Sequence, residues 1–228
     1  MWKETVIDNR ICHVLNKGNS GPVFIWPFYY DGPEELEHME DLLSSEAFES
    51  GYSLIACEVR DWDRELSPWP GQAMDGSIME GRGKELLDWM KTSLFPWIDS
   101  QSFSADKYCI IGYSLAGLFA MWSLYESELF DGCISGSGSF WFEEWKEYAE
   151  KHSPKKHCSV YLSLGGKEEK TKNVFMASVG DRTRELEKLL KADPMVDTVR
   201  LEMNPGGHFA DSSKRLLKGL RWIIDSYK

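Results

Sequence analysis

Ser114 stands in the hexapeptide Gly112-Tyr113-Ser114-Leu115-Ala116-Gly117, after the apolar run 108–111 and before a helical pattern that opens at Leu118. A serine on a sharp turn between a buried strand and a helix has its hydroxyl lifted clear of the sheet, where it can act as a nucleophile. Small residues two positions either side, here Gly112 and Ala116, let such a turn close. A G-x-S-x-[GA] match arises by chance in roughly one chain in four of this composition, so its weight comes from the strand before it and the helix after it. The alternative is a glycine-rich turn whose serine only caps the helix.

A serine hydroxyl needs a base within hydrogen-bond reach, normally a histidine oriented by a carboxylate. Of the five histidines, His208 follows the strand candidate 198–203 across Asn204-Pro205-Gly206-Gly207 and precedes the last helix. His13 lies inside the first strand, His38 on a polar helix, and His152 and His157 beside the basic stretch 151–156. The spacing of His152, His157 and Cys158 fits no standard zinc pattern, so neither a metal nor a cofactor is expected. The acid should follow the strand 159–164, which runs into Gly165-Gly166-Lys167-Glu168-Glu169; Glu168, three residues past Gly165, is preferred, with Glu169 as the alternative. The order Ser114, Glu168, His208 is that of the α/β-hydrolase arrangement. An oxyanion hole then takes one amide from Leu115 and one from the loop after 22–26. Pro27 has no amide hydrogen, so Phe28 is expected to supply the second, with Tyr29 as the fallback.

These residues need a frame, and the chain alternates strand-like and helix-like segments at β-α spacing. Strands are expected at 4–16, 22–28, 52–58, 108–111, 132–135, 159–164 and 198–203, and helices at 33–49, 78–100, 115–126, 140–151, 173–191 and 211–226. This alternation predicts an α/β fold: a mostly parallel central sheet with helices on both faces, an antiparallel edge from the leading segment and little or no separate cap domain. Ligands on such sheets bind beyond the carboxyl ends of the strands. The segment 60–77 follows a strand on that edge and is too long for a simple connection, so it is either a lid or a packed surface loop.

At 228 residues the chain suits one domain spanning 1–228. Twenty-six Lys and Arg against 37 Asp and Glu give a formal net charge of -11, with no basic stripe, which argues against nucleic acid or an anionic membrane as partner. No apolar signal core or spanning run is present, so a soluble, cytoplasmic protein is expected. Cys12, Cys57, Cys109, Cys133 and Cys158 are scattered singly, mostly in apolar strand-like segments, and read as reduced core residues.

With the segments 112–117, 165–169 and 206–209 in view, the chain resembles the α/β-hydrolase esterase group that includes enterobactin-type siderophore esterases, feruloyl esterases, S-formylglutathione hydrolase and the mycolyltransferase antigens. The segment 130–141, with its serine-rich turn and Trp141, resembles the strand that follows the elbow in that group. The resemblance implies a serine hydrolase that cleaves a small-molecule carboxylic ester through an acyl-enzyme on Ser114. His208 would be its general base, Glu168 its third member and Trp141 a pocket wall. Two departures stand out: Trp26-Pro27 replaces the histidine-glycine pair common before the oxyanion loop, and Ala116 replaces glycine. Aromatic residues gather after the site-facing strands, and Tyr29 and Trp69 join Trp141 as substrate-binding candidates. Arg60 and Arg64 could hold an anionic group or pair with Asp61 and Asp63. The same machinery would serve an acyltransferase or thioesterase, and the same fold a non-catalytic binding protein.

Overall fold

A computed structural model of the chain describes residues 1–227 except 19, 49, 74, 75 and 102. Ten strands and nine α-helices alternate along the described residues. Eight strands form the main sheet: β1 (Lys3–Ile7), β2 (Arg10–Asn16), β3 (Val23–Phe28), β4 (Ser53–Glu58), β7 (Tyr108–Tyr113), β8 (Gly132–Gly136), β9 (Cys158–Gly165) and β10 (Val196–Asn204). Their spatial order is β1-β2-β4-β3-β7-β8-β9-β10. The pairs from β4 to β10 are parallel, and only β1 with β2 and β2 with β4 run antiparallel.

Helices cover both faces because the central strands are buried on both. β3, β4, β8 and β9 are apolar runs with almost no alternation, as strands of a two-sided parallel sheet must be. On one face, α1 (Glu34–Ser45) and α9 (Ser212–Ser226) bury Leu36, Met39, Leu43, Leu216, Leu220 and Ile223 against Phe24, Leu54 and Ile111. The other face holds α3 (Gly83–Trp89), α5 (Leu115–Glu126), α6 (Trp145–Lys151) and α8 (Val179–Ala192). α5 is apolar all round, with eleven of its twelve residues buried, the signature of a helix enclosed in a core.

The expected strand 4–16 is instead a hairpin. Asp8 and Asn9 both take positive φ, 45° and 64°, the left-handed pair that a tight two-residue turn requires. The expected helix 78–100 begins only at Gly83, because Ile78–Met79 (β6) pairs with Gly71–Gln72 (β5) in a separate two-stranded ribbon. From there it runs through a π turn at Met90–Leu94 into α4 (Phe95–Ser100), with the Phe95 amide donating to the Met90 carbonyl. Pro96 explains the π turn: it cannot donate to the carbonyl four residues back, so the ladder resets there. The expected helix 173–191 is split into α7 (Val174–Ala177) and α8. Segment 60–77 is not structureless: it carries α2 (Trp62–Leu66) and β5, with Met74 and Asp75 outside the described residues. Among the described residues no helix is long and apolar enough to cross a membrane.

Candidate active site

Ser114 joins β7 to α5 at φ 58°, ψ −122°, a region that costs a residue other than glycine about 1–3 kcal/mol. Contacts on all sides hold it there. Its amide donates to the Gly136 carbonyl at 2.9 Å, and its own carbonyl accepts from Gly117, Leu118 and Ser139. Gly112 is obligatory: a Cβ there would lie 2.1 Å from the Ala116 carbonyl oxygen.

His208 Nε2 lies 3.0 Å from Ser114 Oγ, and His208 Nδ1 lies 3.0 Å from Glu168 Oε2. A carboxylate can only accept, so the proton sits on Nδ1 and the Nε2 lone pair faces the serine hydroxyl. The His208 side chain is 17% exposed and that of Glu168 2%, so this line of three runs inward from solvent. Glu169, its neighbour, turns the other way and pairs with Arg184. The short 3-10 turn Glu168–Lys170 after β9 thus separates the two carboxylates by direction.

Glu168 Oε1 has three donors: the Gly165 amide at 2.7 Å, the Ser137 hydroxyl at 2.6 Å and Arg215 Nη1 at 3.1 Å. Burial pushes the Glu168 pKa up, but hydrogen bonds from His208, Ser137 and Gly165 outweigh it and hold the carboxyl below its ordinary value. Arg215 is 1% exposed. Its Nη1 also donates to Ser137 Oγ and Tyr113 Oη, and its Nη2 to the Gly207 carbonyl. Tyr113 Oη in turn donates to the His208 carbonyl at 2.6 Å. One buried guanidinium therefore ties the carboxylate to the loop that carries the histidine.

That network escaped the sequence reading. Its only signal is a basic residue on the stripe of α9 shared by Gly219 and Ile223, both buried.

Beside Ser114 opens a cavity of about 280 Å³ lined by Trp62, Asp63, Ala73, Met79, Ser114, Leu115, Ser139 and Trp141. Leu115 is the first residue of α5, so its amide has no acceptor within the helix. Trp141 lies on the cavity wall, whereas Trp69 and Tyr29 do not. Trp69 donates from its indole to the Glu143 carbonyl and lines a different cleft with Tyr148 and His152. The Tyr29 side chain is 52% exposed. Arg60 binds the Asn9 carbonyl and Arg64 pairs with Glu80, so neither meets the cavity.

Phe28 is misplaced as an oxyanion donor. Its carbonyl accepts from the Val59 amide, as the Pro22 carbonyl does from Ser53, whereas the Val23 amide donates to Lys107 on the other side. A strand residue points its N–H and C=O the same way and its neighbours point theirs oppositely. The Phe28 amide therefore faces β4 rather than β7 and the elbow, and Tyr29 is the first residue past the end of β3.

The family model described as "Putative esterase" matches residues 54–208, from β4 through the elbow to His208. The chain belongs to this esterase family. Membership makes it a carboxylic ester hydrolase. No curated protein matches the sequence of this esterase. Among solved structures it is similar to an IroE-like serine hydrolase from Shewanella oneidensis, with TM-score 0.83 and 17% identity over 100% of this chain and 81% of that one. It is also similar to the siderophore hydrolase EstB from Aspergillus nidulans, with TM-score 0.78 and 17% identity over 99% and 95% of the two chains. The enterobactin esterase FES from Shigella flexneri gives TM-score 0.74 and 16% identity over 100% of this chain and 60% of that one. The esterase has the α/β-hydrolase fold, and its antiparallel β1-β2 edge followed by six parallel strands is how this chain builds it.

Proposed function

We propose that this esterase cleaves a small-molecule ester through an acyl-enzyme on Ser114, with His208 as general base and Glu168 as the carboxylate that orients it. The observation that carries the reading is the imidazole held 3.0 Å from Ser114 Oγ on one side and 3.0 Å from Glu168 Oε2 on the other. His208 Nε2 takes the hydroxyl proton as Oγ attacks the ester carbonyl carbon. The tetrahedral oxyanion is met by the amides of Leu115 and Tyr29, each such donor being worth about 10²–10³ in rate. The Nε2 proton then passes to the departing alkoxide as the acyl-oxygen bond breaks, and water repeats the sequence to release the acid. Glu168, its carboxyl held below the ordinary value, stays ionised opposite the imidazolium throughout.

The similar proteins named as siderophore hydrolases and an enterobactin esterase favour a siderophore-type ester as the substrate class. A cavity of about 280 Å³, with Trp62 and Trp141 on its walls, suits a small or partly aromatic portion of such a molecule. In this reading residues 1–228 work as one domain without a separate cap, and the lid candidate, segment 60–77, contributes α2 and β5 beside the site. Five buried free thiols, with Cys12 opposite Cys57 across β2 and β4, support a reducing compartment such as the cytoplasm. Hydrolysis of p-nitrophenyl acetate by the wild type and by Ser114→Ala is the test. Loss of turnover to background in the variant is expected, and turnover at the wild-type rate would overturn the assignment.

A further inference from the structure

Phe209, the residue after His208, is 91% exposed. Single apolar side chains on a surface are ordinary; what distinguishes this one is its place. Its one ring contact among the described residues is the His208 imidazole, edge to face, with centroids 5.0 Å apart and planes at 89°. The partly buried Tyr113 ring also borders that imidazole, at 5.5 Å, so Phe209 is its aromatic neighbour on the solvent side. The loop presenting Phe209 is pinned at three successive carbonyls. Gly206 accepts from the Lys167 amide at 2.9 Å, Gly207 from Arg215 Nη2 at 2.8 Å and the Ala210 amide at 3.1 Å, and His208 from Tyr113 Oη at 2.6 Å. A phenyl ring is thus held in water on a fixed backbone, and a ligand that covers it pays little to order the loop.

An ester has two halves, and the site separates them. The leaving oxygen must come within hydrogen-bond reach of His208 Nε2 to take its proton, so the alcohol half passes over the imidazole. The cavity is lined by Ser114, Leu115, Ser139 and Trp141 but not by His208 or Phe209, so the acyl half is the one that falls into it. We infer that the alcohol released here carries an apolar ring that seats on Phe209, while the acyl group fills the cavity between Trp62 and Trp141. The inference rests on the reading of Ser114 as nucleophile and His208 as base, and it specifies the alcohol half of the substrate. Covering the phenyl removes apolar surface from water and adds an aromatic pair. Phe209 is a specificity residue in this account; the proton transfers pass through His208.

The experiment measures kcat/KM on the full chain for ethyl acetate, 2-phenylethyl acetate and ethyl 3-phenylpropanoate. The two acetates share an acyl group and release alcohols of similar acidity, and the third ester moves the ring to the acyl half. Because kcat/KM ends at acylation, it reads the step in which the alcohol is still attached, and ratios between esters cancel any loss of active protein in a variant. The wild type is expected to prefer 2-phenylethyl acetate to ethyl acetate by about tenfold. Phe209→Ala should bring that ratio near one and Phe209→Trp should keep it. The ratio of ethyl 3-phenylpropanoate to ethyl acetate should be the same in wild type and Phe209→Ala. A wild type without the preference overturns the inference, and so does a preference that survives Phe209→Ala because all three esters slow by the same factor, which would make Phe209 a support for the imidazole. Labelling by a neutral alkyl fluorophosphonate, run alongside, separates the two readings: an adduct on Ser114 keeps the nucleophile when the preference fails, and its absence removes both.

Discussion

Replacing Arg215 by methionine tests whether the buried guanidinium sustains the site. In the folded protein Arg215 makes four hydrogen bonds: Nη1 to Tyr113 Oη at 2.8 Å, to Ser137 Oγ at 2.7 Å and to Glu168 Oε1 at 3.1 Å, and Nη2 to the Gly207 carbonyl at 2.8 Å. Removing one partner of a buried ion pair costs about 3–5 kcal/mol, because the other charge is left without its counterion. Part of that is recovered, since Arg215 Nε is buried with no partner and its removal ends a penalty of about 1 kcal/mol. The expected loss at pH 7 is therefore about 2–4 kcal/mol, read as a lower urea midpoint at unchanged slope. Its pH dependence carries a sign. Glu168 is held below its ordinary value, so its charge contributes stability above the pKa of the unfolded carboxylate, and that contribution is lost as pH falls through the folded value. Once Glu168 is protonated, Arg215 in the wild type is itself a buried charge without a counterion. The deficit of Arg215→Met should thus narrow as pH falls below the ordinary carboxylate range, and Arg215→Lys, which keeps the charge but not the fork, should fall between the two. A loss under about 1 kcal/mol at pH 7, or one that fails to narrow on acidification below the ordinary carboxylate range, would refute the reasoning.

Three further perturbations follow from the same geometry. Ser114→Gly removes the strain at φ 58°; after the entropy that glycine adds to the unfolded chain, it should stabilise by about 1 kcal/mol, or roughly 2–4 °C in Tm, while ending turnover. A lowered Tm would show that the elbow is unstrained. Glu168→Gln presents an amide donor to His208 Nδ1 and so reverses the ring tautomer; kcat/KM on p-nitrophenyl acetate should fall about 10³–10⁴-fold, and a fall below tenfold would deny Glu168 its orienting role. Gly112→Ala forces a Cβ against the Ala116 carbonyl; denaturant melts should show about 2–4 kcal/mol of destabilisation, and near-wild-type stability would mean the elbow gives way easily.

Much of the frame is legible in the residues because parallel strands buried on both faces must be apolar runs, and helices between them must carry an apolar stripe. The three side chains that converge, Ser114, Glu168 and His208, stand just past the strands β7, β9 and β10, and their distance from each strand end is visible in the chain. Glu168 is separable from Glu169 by that spacing, and the direction of the turn agrees, since Glu169 meets Arg184 instead. What escaped depends on geometry that no local pattern encodes. The hairpin at Asp8 and Asn9 has no glycine to announce it, and the π turn follows from a missing donor at Pro96. Which neighbouring strand the Phe28 peptide faces is a matter of sheet order. Trp69 and Trp62 lie seven residues apart, and only the packing of α2 and the β5-β6 ribbon decides that Trp62 reaches the cavity. Arg215 was hidden because a buried arginine needs four acceptors, here from four separate segments of the chain.

The central claim is that Ser114 is a nucleophile activated by His208, and active-site labelling tests it most directly. The protein is treated with a neutral alkyl fluorophosphonate, digested, and the modified residue located by mass spectrometry. The account predicts one adduct, on Ser114, that is absent in Ser114→Ala and forms at least about a thousandfold more slowly in His208→Ala. An unmodified Ser114, an adduct on another serine, or labelling of Ser114 at the wild-type rate in His208→Ala would contradict it.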